Sequence, residues 1–271
     1  MGLLRQLRYE GYLVGEARRL FGWRKTTRFI AGLPFVFFTN RNRTAYELMG
    51  NCRMSIGQTA IRFKHPDVRF IDEIITKKCY SPNPDFEIGP NDTIVDAGAN
   101  VGVFAIHASL AATRGRLFAI EPDAENFRFL QENIRANELT TDIVSIPVAL
   151  CDKKGTVRLY KTNPGNNSIL GSFSDEDPVA IQTCKSVTIG NLIEQYSLKQ
   201  IDFMKVDIEG AEFLLFKDHK WLDQTRRIAM EVHTHMGNAN DIKAELARSG
   251  FSVITAPAYD SGALYIYAKR D

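Results

Sequence analysis

Five acidic residues and one histidine stand at the ends of short apolar runs. Asp96 closes "TIVDAGA", Glu121 closes "RLFAIEP", Asp207 and Glu209 follow "IDFMKV", and Glu231 and His233 close "RIAMEVH". One or two such groups serve as helix caps in any α/β protein, but ionisable side chains at four strand ends are hard to explain as packing. Carboxylates and an imidazole gathered on one rim can hold hydroxyl groups, accept a proton or balance a cation.

The turn after Asp96 narrows the chemistry. A dinucleotide fingerprint requires Gly-x-Gly-x-x-Gly, whose second glycine admits a pyrophosphate to the backbone. Here Gly98 is followed by Ala99, Asn100, Val101 and Gly102, so the second and third glycines are missing. Asp96 also places negative charge where a diphosphate would sit, whereas it suits the ammonium and sulfonium of S-adenosylmethionine. Glu121, at the end of the next run, is placed to accept hydrogen bonds from both ribose hydroxyls. The turn therefore favours S-adenosylmethionine and argues against a dehydrogenase.

The elements that must position these groups alternate. From Ile94 onward apolar strand-like runs are separated by helical patterns, over about Val101 to Ala112 and from Asp123, a candidate N-cap, to about Asn137. "DIVSIPVAL", "IDFMKVD" and "RIAMEVH" read as further strands, with a helix near Asp241 to Ser249 before "FSVIT". Repeated βα units imply a mostly parallel sheet with helices on both faces. The last two runs, joined by a Pro/Asp/Ser/Gly turn, leave no room for a crossover helix, so the final strand must lie antiparallel beside its predecessor. The expected class is α/β, Rossmann-like, ending in an antiparallel C-terminal hairpin strand. "TVRLY" and "CKSVTI" read as a strand pair around a polar segment at 161–183, either a lid or a surface excursion.

Bulk properties set outer limits. The chain of 271 residues is 44% hydrophobic and 24% charged, with a formal net charge of +2. Those values describe an ordinary globular protein and supply no global reason for a nucleic-acid partner. Cys52, Cys79, Cys151 and Cys184 are far apart, with no C-x-x-C pair, and read as reduced thiols in a cytoplasmic protein. "FIAGLPFVFF" is too short and too late for a membrane span or a signal peptide. Residues 1–28 carry seven arginines and lysines against two glutamates, with Leu3, Leu7, Val14, Ala17 and Phe21 at helical spacing. A basic amphipathic helix packs on its own domain, on the second subunit of a homodimer, or peripherally on an anionic membrane. The organisation expected is a basic helical extension over 1–69 and a catalytic domain over 70–271.

"DAGANVGVF" (Asp96 to Phe104), "IEPDAENFRFLQENIRAN" (Ile120 to Asn137) and "IDFMKVDIEGAE" (Ile201 to Glu212) resemble the FkbM family of methyltransferases. "FIDEIITKKCY" and "EVH" are similar to that family's lead-in and fifth-strand ending, so the resemblance runs from about Phe70 to His233. It implies a Rossmann-like, S-adenosylmethionine-dependent methyltransferase acting on a hydroxyl of a sugar, glycan or natural product. Residue by residue, Asp96, Gly98, Asn100 and Gly102 would hold the methionine part, Glu121 the ribose, and the backbone near Ala149 the adenine.

For the acceptor's proton, His233 is the base best suited by intrinsic pKa; Asp207 and Glu209 are alternatives, or orient acceptor hydroxyls. Lys205 inside its strand reads as a structural ion pair with Asp207 or Glu231. The rim residues, with His235 nearby, include metal-ligand types but show no dedicated metal spacing, so no metal is assigned. Two rival functions stand beside this one. A nucleic-acid methyltransferase that modifies base amino groups uses an Asn/Asp-Pro-Pro-aromatic turn where this chain has "DIEG". A non-catalytic S-adenosylmethionine-binding module has no need of ionisable groups on the rim.

Overall fold

The computed structural model describes residues 15, 18, 52–56, 59–63, 68–161, 167–170, 178, 180–258 and 263–270. The expected basic helix at 1–28 lies almost wholly outside them. Within the 1–69 extension, β1 (Cys52–Ile56) and β2 (Thr59–Phe63) form an antiparallel hairpin, so this part is strand rather than helix. Its alternating Met54/Ile56 and Ile61/Phe63 pattern suits a strand pair.

A short helix, α1 (Val68–Ile71), runs into a π-helical turn, Asp72–Thr76. The alternating elements follow: β3 (Thr93–Ala97), α2 (Val103–Ala111), β4 (Arg116–Ile120), α3 (Ala124–Arg135) and β5 (Asp142–Ile146). Next come β6 (Ala149–Leu150), β7 (Gly155–Lys161), β8 (Ala180–Val187), α4 (Ile189–Tyr196), β9 (Phe203–Val206) and α5 (Glu212–Leu215). The chain closes with β10 (Arg227–His233), α6 (Ala239–Arg248), β11 (Ser252–Pro257) and β12 (Ala263–Lys269).

Seven strands form the main sheet in the order β11-β12-β10-β9-β3-β4-β5. Neighbours from β10 to β5 are parallel, and β12 is antiparallel to both β10 and β11. The chain thus has the mostly parallel, Rossmann-like sheet expected, with one refinement: the last strand inserts between its predecessor and β10 instead of ending the sheet. β9 lies next to β3 although five strands intervene in sequence, so the strand order reverses between β3 and β9, at whose carboxyl ends open α/β sheets bind ligands.

"DIVSIPVAL" is two strands, not one. Pro147 lacks an N–H and cannot continue a ladder. β5 therefore stops at Ile146, and β6 joins β8 and β7 in a separate three-stranded sheet. The expected pairing of "TVRLY" with "CKSVTI" is present as antiparallel β7 and β8.

Strand alternation divides the core into two layers. Val95, Ala97, Phe118, Ile120, Met204, Val206, Met230 and Val232 pack with α4 and α6. Ile94, Leu117, Ala119, Phe203 and Ala229 face α2 and α3 together with Tyr80 and Phe86. Fully burying each of Phe118 and Phe203 is worth about 1.5–3 kcal/mol. Local signals set the helix starts. Asp123 caps α3 by accepting from Glu125 and Asn126, and Thr188 and Asn191 form a reciprocal capping box on α4. Such caps contribute about 1 kcal/mol each. Cys79, Cys151 and Cys184 are buried free thiols. Among the described residues, no helix is long and apolar enough to cross a membrane.

Candidate active site

The carboxyl ends of β3, β4 and β9 open into a cleft of about 620 Å³, solvent-facing space included. Gly98, Asn100, Glu121 and Ala149 line it, as do Asp207 and Glu209. Ala149 reaches the cleft from the small sheet, because the Pro147 break carries the chain off the main one.

The turn after β3 spends its hydrogen bonds internally. The N–H groups of Gly98 and Ala99 both donate to the Ile120 carbonyl, and that of Gly102 donates to Ala99. Asn100 N–H donates to Glu121 Oε2 at 2.8 Å, and Val101 N–H donates to the Asn100 side chain. No N–H from 98 to 102 is left for a pyrophosphate, so this turn is not an anion cradle.

The donor set fits S-adenosylmethionine. Glu121 is 5% exposed, and each of its oxygens accepts one backbone N–H, from Asn100 and from Asp123, keeping lone pairs for ribose hydroxyls. Burial pushes Glu121 up to about 7, against the pull of those two N–H groups. Beneath the turn the Asp96 carboxylate is fully buried, and the cation beside it is Lys205, 3.4 Å from its Oδ1.

The glycines also have a purpose inside the protein. Gly98 has φ +80°, and a Cβ there would stand 1.7 Å from the Asp207 carbonyl oxygen. Gly102, at φ +91°, would meet Leu130 at 2.7 Å. Close approach of the turn to the end of β9 and to α3 therefore demands glycine, whatever binds above. Neither Asp96 nor Gly102 lines the cleft; they support it from below.

The second half of the site depends on register. Asp96 of β3 lies opposite Lys205 of β9, and alternation puts both on the Tyr80 side of the sheet with Glu231 of β10. Lys205 Nζ stands 3.4 Å from Asp96 Oδ1 and 3.7 Å from Asp207 Oδ2, and it donates to Gly98 O at 2.6 Å. The expected structural ion pair is present, with Asp96 and Asp207 as partners. Burial alone would lower the lysine pKa, but the two aspartates outweigh it and hold it above its ordinary value. Asp96 is raised by burial, against the pull of Lys205.

Tyr80, from the segment before β3, donates to Asp207 Oδ2 at 3.0 Å and lies 3.5 Å from Glu231 Oε2. It is 4% exposed and wedged edge-on between Phe104 and Tyr265. Sequence reasoning passed over Tyr80 because nothing in "KKCYSP" marks it; only the fold carries it across 127 residues to Asp207. Burial and Asp207 push Glu231 up to about 9.

His233 does not line the cleft. Its Nε2 is 3.2 Å from Glu209 Oε2 and its Nδ1 is 3.2 Å from Glu212 Oε1. Burial opposes its charge, but the two carboxylates overcome that and push it up to about 11. An imidazolium has no lone pair, and both ring nitrogens face carboxylates. The expectation that His233 is the base is therefore corrected: its neighbours, invisible in the strand pattern, remove the property for which it was chosen. Glu209 has φ +54° and a pKa raised by burial against the pull of His233, and it remains on the cleft wall with Asp207.

Part of the polar 161–183 segment reaches the cleft wall. Asn167 and Ile169 line it, Ser168 Oγ donates to Glu209 O at 2.7 Å, and Asn167 donates to Asp123 at 3.3 Å.

A family model described as "Methyltransferase FkbM domain" matches residues 96–253, more than half of the chain. The chain is similar to "Methyltransferase sdnD" of Sordaria araneosa, 24% identical over 67% of this chain and 80% of the relative. It is similar to "Methyltransferase 1" of Beauveria bassiana, 27% identical over 76% of this chain and 91% of the relative. It is also similar to "31-O-demethyl-FK506 methyltransferase FkbM" of Streptomyces tacrolimicus, 22% identical over 77% of this chain and 91% of that protein.

Proposed function

The chain belongs to the FkbM methyltransferase family and is an S-adenosylmethionine-dependent methyltransferase; from that premise we propose that it methylates a hydroxyl oxygen of a sugar, glycan or natural product. The observation that carries the reading is the pair of carboxylates, Asp207 and Glu209, lining the same cleft as Glu121. A hydroxyl acceptor needs a group to take its proton, and a carboxylate already held in place by Tyr80 and Lys205 meets that need. The name of the Streptomyces relative, which records an O-demethylated substrate, is consistent with the same choice of atom.

When bound, S-adenosylmethionine supplies an electrophilic methyl group on a cationic sulfur. Glu121 would hold its ribose, Gly98 and Asn100 on the cleft wall would hold its methionine end with Asp96 and Gly102 supporting their turn from below, and Ala149 would face its adenine. Asp207 would take the acceptor's hydroxyl proton onto its carboxylate, which would free that oxygen to act as the nucleophile. Alignment and exclusion of water would supply most of the remaining effect in a cleft that Asn167 and Ile169 help to line. Glu209 orients the acceptor, and Glu212 and His233 brace Glu209 from behind.

The test is methyl transfer from labelled S-adenosylmethionine to a panel of hydroxylated sugars, uronic acids, macrolides and transfer RNA, with the product bond assigned by NMR. O-methylation of a small molecule or glycan supports the reading. Methylation at nitrogen, or of RNA alone, overturns it.

A further inference from the structure

We propose that Asp207, Glu209 and His233 bind a divalent cation of the manganese, iron or zinc type at the acceptor edge of the cleft. One donor atom from each of the three lies within 4.8 Å of the others. Donors about 2.1 Å from a common ion stand roughly 3.0–3.4 Å apart when adjacent and about 4.2 Å apart when opposite. Nε2 of His233 and Oε2 of Glu209 already have the adjacent spacing, at 3.2 Å.

A second observation concerns the histidine's other nitrogen. Glu212 is fully buried, and its Oε1 also accepts the N–H groups of Ile208 and Gly210, at 3.2 and 3.1 Å. As an acceptor it keeps a proton on Nδ1, so the ion would displace only the Nε2 proton that the imidazolium otherwise holds toward Glu209. A carboxylate that anchors one imidazole nitrogen while the other ligates is the usual support of a metal-bound histidine.

The third observation is independent of the cluster's spacing. Among the described residues, five buried side-chain polar atoms make no hydrogen bond, and four of them are carboxylate oxygens of Asp96, Glu209 and Glu212. Carboxylates only accept, so buried and unsatisfied ones call for positive charge. Lys205 is engaged with Asp96, Asp207 and Gly98, and S-adenosylmethionine would bring its charge to the Asp96 side. On the Glu209 side the positive partner is the His233 ring, whose Nε2 proton a divalent ion of higher charge would replace. One imidazole and two carboxylates suit a borderline divalent ion. Bound there, the ion would stand behind the cleft wall that Asp207 and Glu209 form, and a Lewis acid beside an acceptor hydroxyl eases loss of its proton.

Binding of the ion does not depend on the acceptor reading, so it is tested without turnover. Mn²⁺ is titrated into the full chain and followed by electron paramagnetic resonance, with neither S-adenosylmethionine nor acceptor present. One saturable site is expected, with hyperfine coupling to an imidazole nitrogen in the unmodified protein. Glu209→Gln and His233→Gln should each weaken it at least 10-fold, and Glu212→Gln by about 10–100-fold, with S-adenosylmethionine affinity retained as the check on folding. No saturable binding of Mn²⁺, Zn²⁺ or Mg²⁺, a bound Mn²⁺ without nitrogen coupling, or affinity unchanged in the folded variants would each overturn the site. Loss of metal binding with S-adenosylmethionine binding intact leaves the methyltransferase reading untouched.

Discussion

The two ends of the cleft are built in opposite ways. At the cofactor end, the Asp96–Gly102 turn and Glu121 come from consecutive elements and are tied together by backbone N–H groups. At the acceptor end, Tyr80, Asp207, Glu209, Glu231 and His233 come from segments up to 153 residues apart and meet one another through side-chain contacts. Backbone hydrogen bonds leave the first end rigid and nearly complete. The second keeps charge that is only partly balanced, and its chemistry depends on pKa values and contacts that a single substitution can change.

The largest effect should separate the two ends outright. Asp207→Asn is expected to lower turnover by about 10²–10⁴-fold while S-adenosylmethionine affinity, measured by calorimetry, stays within about twofold. An equal loss of both would mean that the two ends are one functional unit. Gly98→Ala should break the cofactor end mechanically. Its Cβ would collide with the Asp207 carbonyl at a left-handed φ, and a destabilisation of at least about 3 kcal/mol is expected in denaturant unfolding.

Glu121→Gln sharpens the contrast from the other side. Losing charge-assisted bonds to the ribose should weaken S-adenosylmethionine binding by about 10–100-fold, with turnover at saturation little changed. Tyr80→Phe is expected to cut turnover by about 10-fold without altering cofactor affinity, since it removes a donor to Asp207 and leaves the ring packing in place. Were affinity to fall instead, Tyr80 would belong to the cofactor end.

The smallest effect is a pH dependence. Burial raises Glu121 from an ordinary 4.5 to about 7 in the folded protein. The folded state therefore retains a proton that the unfolded chain has already released, so this group's stabilising contribution is full below 4.5 and lost as pH rises through 7. Cofactor binding should run the other way, because the ionised carboxylate accepts the ribose hydroxyls more strongly. Affinity should rise severalfold between pH 6 and 8 and become flat in Glu121→Gln.

Legibility in the sequence followed the same divide. The βα alternation, the Asp123 cap, the antiparallel final strand and the glycine turn are local patterns, and each is present in the fold. The break at Pro147 was written in the sequence too, but an unbroken apolar run concealed it. His233 was correctly placed at a strand end and misjudged as a base, because a strand pattern says where a side chain begins and nothing about the carboxylates that will face it. Tyr80 and Glu212 gave no local signal of their eventual partners.

By itself, then, the sequence determined the sheet, the cofactor turn and the strand ends on which ionisable groups would gather, because period-two burial and turn chemistry act over a few residues. Tertiary structure decided which of those groups meet. The β3–β9–β10 register sets Asp96 against Lys205, packing brings Tyr80 to Asp207, and the turn through Glu209 and Gly210 closes two carboxylates around His233. A pKa is a property of the final surroundings, and those surroundings exist only once distant segments have docked.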